Sequence, residues 1–141
     1  MERKATAVWQ GGLRDGKGTL TTESKVLSNT PYSFSTRFES SPGTNPEELL
    51  GAAHAGCFAM ALSLNLGEAG IKPERIETRA TITLEKLDSG FTITRSHLDV
   101  SVRAPGADPV KFEAAAEKAK TGCPLSKVLR AEISMSARLE S

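Results

Sequence analysis

The chain has 141 residues, of which 38% are hydrophobic and 25% are charged, which predicts a single domain spanning residues 1–141 with its own core. Its 18 basic and 17 acidic residues leave a net charge of +1, so we expect no nucleic acid and no membrane as a partner. No apolar segment of the kind found in secretory signals follows the charged N-terminus, and we therefore expect a cytoplasmic protein with a small ligand.

The first 40 residues are predicted to form strands. Residues 5–10 are rich in β-formers, and residues 18–22 follow a turn of Gly, Asp and Lys. Residues 32–38 alternate, with aromatic side chains on one face and Arg37 on the other. We therefore expect Arg37 to point away from the aromatic face of a third strand.

A long helix is predicted from Pro46 to about Glu68. Asn45 is a suitable N-cap, Pro46 suits the first helical position, and acidic residues occupy the first turn. The segment is apolar almost all round, which indicates burial on every side. It is too rich in Ala and Gly, and too polar at His54, for a membrane span to be favoured. Its many small residues suit a central helix packed against a neighbour or a symmetry mate.

The second half of the chain is predicted to contain a hairpin, two helices and a last strand. The hairpin turns at residues 87–90, and a change of alternation predicts a bulge near residues 95–97. A helix at 109–120 is interrupted by Gly122, Cys123 and Pro124 before a short helix at 125–129. Residues 131–139 alternate as a half-buried strand. The order of elements predicts an α+β fold with a mainly antiparallel sheet.

The two cysteines, Cys57 and Cys123, fit neither a disulfide framework nor a zinc site. Either thiol is open to the interpretation of a small buried hydrophobe. Cys57 lies too far along its helix for the helix N-terminus to lower its pKa, and burial would raise that pKa. A reactive Cys57 therefore needs a cation from elsewhere in the fold. Cys123 lies at a helix break, where a small movement would bring its sulfur to a partner.

Several segments in order resemble the osmotically inducible protein C family. Residues 44–63, TNPEELLGAAHAGCFAMALS, are similar to its peroxidatic helix, and residues 122–126, GCPLS, are similar to its resolving-cysteine motif. Residues 16–20, 32–38 and 131–133 match as well, so the resemblance covers essentially the whole chain. His54 and Glu48 resemble the osmotically inducible branch more than the sister organic hydroperoxide resistance branch.

The resemblance implies an intertwined homodimer that reduces hydroperoxides, organic ones especially, without metal, flavin or haem. By position, Cys57 is the peroxidatic nucleophile and Cys123 the resolving thiol. Arg37 is the matching cation, and Glu47 is the acid that orients it. The family also implies that an external dithiol of the lipoyl type, free or on a lipoylated protein, reduces the Cys57–Cys123 disulfide.

The predicted helix separates two of these residues. Glu47 and Cys57 are ten positions apart, which is about 15 Å along a helix axis. One arginine can hardly touch both within a subunit. We therefore expect Arg37 and Glu47 of one chain to serve Cys57 of the other.

Three interpretations remain open at this point. The first is the peroxidase; the second is a non-enzymatic dimeric redox-sensing or binding protein, in which Cys57 is oxidised only as a signal. The third is an ester or thioester hydrolase with Cys57 as nucleophile, although no histidine lies at an evident base position. Arg37 is also consistent with a solvated arginine on a strand. Glu47 is also consistent with an acidic residue that only complements the helix dipole. His54 and His97 are expected to be structural.

Overall fold

The computed structural model describes residues 1–140, which form six strands and four helices. The backbone contacts divide the chain into two compact units, Met1–Leu49 and Leu50–Ser141. Each unit has its own three-stranded sheet. The prediction of one domain for the whole chain stays a prediction, and the two units are described in turn.

The first unit begins with an antiparallel sheet whose order is β1-β2-β3, comprising Ala5–Gln10, Lys17–Thr22 and Thr30–Tyr32. Gly18 lies opposite both Trp9 and Tyr32 in this sheet. A Cβ at Gly18 would lie 2.6 Å from atoms of each ring. Glycine therefore allows the two rings to meet across the central strand, with centroids 5.4 Å apart.

The predicted strand at residues 32–38 is wrong, because the chain turns into a short helix, α1, over Phe34–Phe38. Ser33 and Thr36 form a capping box in which the Thr36 amide donates to the Ser33 hydroxyl and the Ser33 amide donates to the Thr36 hydroxyl. Phe34 and Phe38 stack with ring centroids 5.0 Å apart. Residues four apart share a face in a helix as well as in a strand, so the aromatic spacing did not separate the two structures.

Helix α2 spans Pro46–Glu68, which confirms the predicted start and end. The Glu48 amide donates to the Asn45 side-chain oxygen at 2.7 Å, so Asn45 is the N-cap. By length and composition α2 is also apolar enough to cross a membrane. Phe58, Leu62 and Leu66 are fully buried, which makes one face of α2 part of a protein core.

The opposite face of α2 is open in the single chain. Met60 and Leu64 are 77% and 63% exposed, and Ala52, Ala53 and Gly56 are exposed as well. The prediction that α2 is buried on every side is therefore wrong for the single chain. The apolar composition of α2 does not by itself tell which of its faces is buried within the core of the chain.

The second unit is built on a hairpin of β4, Arg75–Leu87, and β5, Gly90–Arg103. The register shifts so that Thr83 faces Arg95 while Leu84 faces Ile93, which leaves Thr94 as the extra residue. The hairpin is confirmed, and its bulge lies one residue before the predicted range. Strand β6, Glu132–Glu140, pairs with β5 in parallel and completes the sheet.

Helices α3, Pro109–Gly122, and α4, Pro124–Val128, precede β6. The core of this unit joins apolar side chains of α2, β5 and α3, including Phe58, Leu98 and Phe112. Three of the four strand pairings in the described residues are antiparallel. The predicted α+β class is confirmed.

Candidate functional site

Cys57 lies on α2 at the edge of a groove in the second unit. It precedes the buried Phe58, and its own side chain is partly exposed. The groove has a volume of about 670 Å³ and a mainly apolar lining that includes both cysteines and two lysines: Cys57, Met60, Ala61, Leu64, Asn65, Lys118, Ala119, Gly122, Cys123, Pro124 and Lys127. A small apolar molecule can therefore reach the Cys57 sulfur.

Cys123 occupies the junction of α3 and α4. Its amide donates to Ala119, which ends α3, and its sulfur accepts from the Ser126 amide at 3.4 Å, which begins α4. The predicted helix break is confirmed. Cys123 is only 1% exposed, lines the same groove as Cys57, and lies close enough to raise the pKa of Cys57. The two thiols therefore share one groove, and the movement of Cys123 expected from sequence stays a prediction.

The surroundings of Cys57 favour the neutral thiol. Burial raises the pKa of Cys57, and a hydrogen bond from the Leu125 backbone opposes this by stabilising the thiolate. The hydrogen bond with Cys123 and the repulsion between two ionised sulfurs raise the Cys57 pKa further. With Lys118 and Lys127 in the groove lining, the net effect within the second unit is still a Cys57 pKa above its ordinary value.

Arg37 and Glu47 are brought together in the first unit. Nε of Arg37 donates to both Glu47 carboxylate oxygens at 3.1 and 3.2 Å, and Nη2 donates to Oε1 at 2.8 Å. Glu47 is buried at 9% exposure. This bidentate pair fixes the plane of the guanidinium. Within the part of the chain that the structure describes, no hydrogen bond engages Nη1 of Arg37.

Aromatic side chains surround Arg37, contrary to the expectation that it points away from them. Its guanidinium carbon is 5.1 Å from the Phe38 ring centroid. Arg37 lines a pocket of about 230 Å³ together with Trp9, Leu13, Tyr32, Ser33, Phe34 and Phe38. The expectation failed because it rested on a strand where the chain forms helix α1.

His54 is fully buried and belongs to a hydrogen-bonded chain that sequence reasoning missed. Its Nδ1 pairs with the Ser96 hydroxyl at 2.7 Å, and its Nε2 pairs with the Ser126 hydroxyl at 2.9 Å. The Ser126 hydroxyl lies 3.1 Å from the Cys123 sulfur. Ser126 was present in the resolving-cysteine motif, whereas nothing in the sequence marks Ser96, which is 42 positions from His54.

The other histidine lies apart from the thiols. His97 Nδ1 pairs with the Ser134 hydroxyl at 2.6 Å, and Nε2 is 3.5 Å from the Asp99 carboxylate. These residues belong to β5 and β6. Within residues 1–140, no three His, Cys, Asp or Glu side chains cluster as metal ligands would.

Known proteins resemble this chain over its full length. A protein of Escherichia coli strain K12 named "Peroxiredoxin OsmC" is 53% identical over 141 residues, covering 100% of this chain and 99% of the relative. An "Organic hydroperoxide resistance protein-like 2" of Staphylococcus epidermidis is 30% identical, covering 92% and 89%. The higher identity to the first relative agrees with the branch indicated by His54 and Glu48.

Solved structures share the fold. The organic hydroperoxide resistance protein OhrB of Bacillus subtilis matches with a TM-score of 0.68 and 27% identity over 97% of this chain and 98% of that one. An OsmC-like protein of Mycoplasma pneumoniae has a TM-score of 0.77 at 15% identity, covering 100% and 99%, and so shows the fold alone. The family model described as OsmC-like protein matches residues 38–138, and the chain belongs to that family.

Proposed function

We propose that this chain is a thiol peroxidase that reduces organic hydroperoxides and hydrogen peroxide with Cys57. The observation that carries the proposal is that Cys57 and Cys123 line one accessible groove, close enough for Cys123 to raise the pKa of Cys57. The chain is also 53% identical to a protein named a peroxiredoxin. Two thiols in one groove allow one to form a sulfenic acid and the other to resolve it.

The first step is attack of the Cys57 thiolate on one peroxide oxygen. The O–O bond breaks, an alkoxide or hydroxide leaves and takes up a proton, and Cys57 becomes a sulfenic acid. Because burial favours the thiol, this step requires a cation that stabilises the thiolate. Arg37 is suited to that role, since Glu47 holds Nε and Nη2 while Nη1 is directed to no partner in residues 1–140.

The second step is condensation of Cys123 with the sulfenic acid, which gives a disulfide and water. An external dithiol then reduces the disulfide by thiol exchange. We assign this role to a lipoyl-type dithiol, either free or carried by a lipoylated protein. The cycle uses no resident cofactor, and its need for reduced thiols fits the predicted cytoplasmic location.

A homodimer completes the site in this proposal. Helix α2 is continuous from Pro46 to Glu68, so Glu47 and Cys57 lie about 15 Å apart along its axis. We therefore assign Arg37 and Glu47 of one subunit to Cys57 of its partner. The open face of α2, where Ala52, Gly56 and Met60 are exposed, supports a second subunit that packs closely there.

The lining of the groove supports a preference for organic hydroperoxides. Met60, Ala61 and Leu64 stand beside Cys57, and apolar surface of this kind favours an alkyl or aryl group over water. Hydrogen peroxide has no such group and gains nothing from the lining. We expect a lower KM for cumene hydroperoxide than for hydrogen peroxide.

The test is peroxide consumption by the purified protein with dihydrolipoamide as reductant, comparing the two peroxides and the Cys57→Ser and Cys123→Ser variants. Catalytic turnover is expected to disappear with Cys57→Ser. Cys123→Ser is expected to consume about one equivalent of peroxide and then fail to recycle through the disulfide.

Other outcomes select the other interpretations. A wild-type protein that consumes one equivalent and never turns over with a dithiol is a redox-sensing or binding protein. Hydrolysis of an ester or thioester that depends on Cys57 would support the hydrolase. Both thiols intact after excess peroxide would make the cysteines structural and contradict the peroxidase.

A further inference from the structure

A buried chain of hydrogen bonds links His54 to Cys123. It runs from the Ser96 hydroxyl to His54, from His54 to the Ser126 hydroxyl, and from Ser126 to the Cys123 sulfur, with separations of 2.7, 2.9 and 3.1 Å. Ser96 and His54 are 0% exposed, Cys123 is 1% exposed and Ser126 is 8% exposed. The proposed peroxidase cycle gives no role to His54, Ser96 or Ser126.

The Ser126 hydroxyl has one proton and lies between two partners, so its direction depends on theirs. With Cys123 as a thiol, the S–H donates to Ser126, whose O–H donates to Nε2 of His54. With Cys123 as a thiolate, Nε2–H of His54 donates to Ser126, whose O–H donates to the sulfur. The Ser126 amide, at 3.4 Å, then gives the sulfur a second donor.

We propose that His54, acting through Ser126, is a positioning residue and proton acceptor for Cys123 in the disulfide-forming step. This inference rests on the proposed peroxidase function. As Cys123 attacks, its proton passes to Ser126 and the Ser126 proton passes to Nε2 of His54. The Cys57–Cys123 bond forms, the S–O bond of the sulfenic acid breaks, and the leaving hydroxide receives the proton back to become water.

Two further observations support this assignment. Burial lowers the pKa of His54, so the resting imidazole is neutral at neutral pH and one ring nitrogen has a free lone pair. The same burial makes His54 a weak base, so it holds the proton only while the disulfide forms. Ser96 holds the other ring nitrogen, so the imidazole has a fixed orientation toward Ser126. The chain of bonds ends at Cys123 and not at Cys57, which assigns it to the second step of the cycle.

The experiment separates the two steps in a single turnover. Fully reduced protein is mixed with one equivalent of cumene hydroperoxide, and peroxide loss is followed beside disulfide formation, measured by acid quench, alkylation and mass spectrometry. The variants are His54→Gln, Ser126→Ala and Ser126→Thr. His97→Gln is the matched control, because His97 is also bonded to a serine but lies on β5 away from the groove lining.

We expect disulfide formation to slow at least about tenfold in His54→Gln and Ser126→Ala, because proton transfer by a positioned side chain contributes about a hundredfold or more, while peroxide loss changes less than about threefold. The Cys57 sulfenic acid then accumulates and is trapped by dimedone. Ser126→Thr keeps the hydroxyl and is expected to recover most of the rate. His97→Gln is expected to behave as wild type in both steps.

Wild-type rates of disulfide formation in both His54→Gln and Ser126→Ala would overturn the inference. Equal slowing of both steps would also overturn it, since that result shows a structural role only. If His54→Gln fails to fold, the comparison of Ser126→Ala with Ser126→Thr decides. Failure of the wild type to consume peroxide would instead contradict the proposed function, so the two failures are distinguishable.

Discussion

The Arg37–Glu47 pair and the Cys57–Cys123 pair are held in opposite ways. Arg37 and Glu47 lie ten positions apart and are joined by a bidentate ion pair. Cys57 and Cys123 come from distant parts of the chain and line one apolar groove. The first pair has a fixed charge and no thiol, whereas the second has two thiols and a raised Cys57 pKa although two lysines line its groove. In the proposed mechanism, the chemistry is divided between these two pairs of residues.

Removal of the cation is expected to have the largest effect. Arg37→Ala should lower kcat/KM for cumene hydroperoxide about 100-fold, because a hydrogen bond to a charged group contributes about 1.5–3 kcal/mol. Arg37→Lys keeps the charge but lacks the planar guanidinium, so its kcat/KM should lie between those of wild type and Arg37→Ala. Steady-state kinetics on both variants measures this, and an unchanged Arg37→Ala would exclude Arg37 from the site.

A smaller loss is expected when only the orientation of the cation is disturbed. Glu47→Gln keeps the shape of the side chain but replaces the carboxylate that accepts from Nε and Nη2 of Arg37. We expect kcat/KM to fall about tenfold. The rate at which iodoacetamide alkylates Cys57 should fall in parallel, since fewer thiolates form. If Glu47→Gln loses peroxidase activity while Cys57 is alkylated at the wild-type rate, Glu47 does not help to form the thiolate.

The smallest expected effect is on stability and comes from the buried imidazole of His54. Burial lowers the pKa of His54 below its usual 6.5. As the pH falls below 6.5, His54 therefore binds a proton in the unfolded chain before it does so in the folded chain. The stability that the neutral imidazole contributes is therefore fully present above about pH 6.5, and the free energy of unfolding decreases as the pH falls below that value. Thermal melts between pH 7.5 and 5 should show a steeper decline for wild type than for His54→Gln. Equal slopes would mean that His54 ionises as easily in the folded chain.

Local signals made much of the fold predictable. Asn45 and Pro46 marked the start of α2, and the polar turn before Gly90 marked the hairpin. The helix α1 was missed because the spacing of Phe34 and Phe38 fits both periods, although the Ser33–Thr36 capping box was present in the sequence. Short-range patterns therefore predicted an element correctly where the pattern fits only one type of secondary structure.

The site was less accessible to sequence reasoning, because its contacts are long-range. The resemblance placed Cys57, Cys123, Arg37 and Glu47 in the site, but their roles stay predictions. His54 was judged structural since no acid partner was apparent. Its true partners are hydroxyls 42 and 72 positions away, and serine is too common for its position to indicate such a contact.

The most direct test of this division of chemistry is a mixed dimer. Arg37→Ala and Cys57→Ser chains are each expected to be nearly inactive alone. If Arg37 serves the partner's Cys57, random mixing after unfolding and refolding gives about half heterodimers, each with one intact site, and about a quarter of wild-type activity returns. Peroxide consumption by the mixture, with purified heterodimer as the control, measures this. Activity no greater than the sum of the two separate variants would contradict the account.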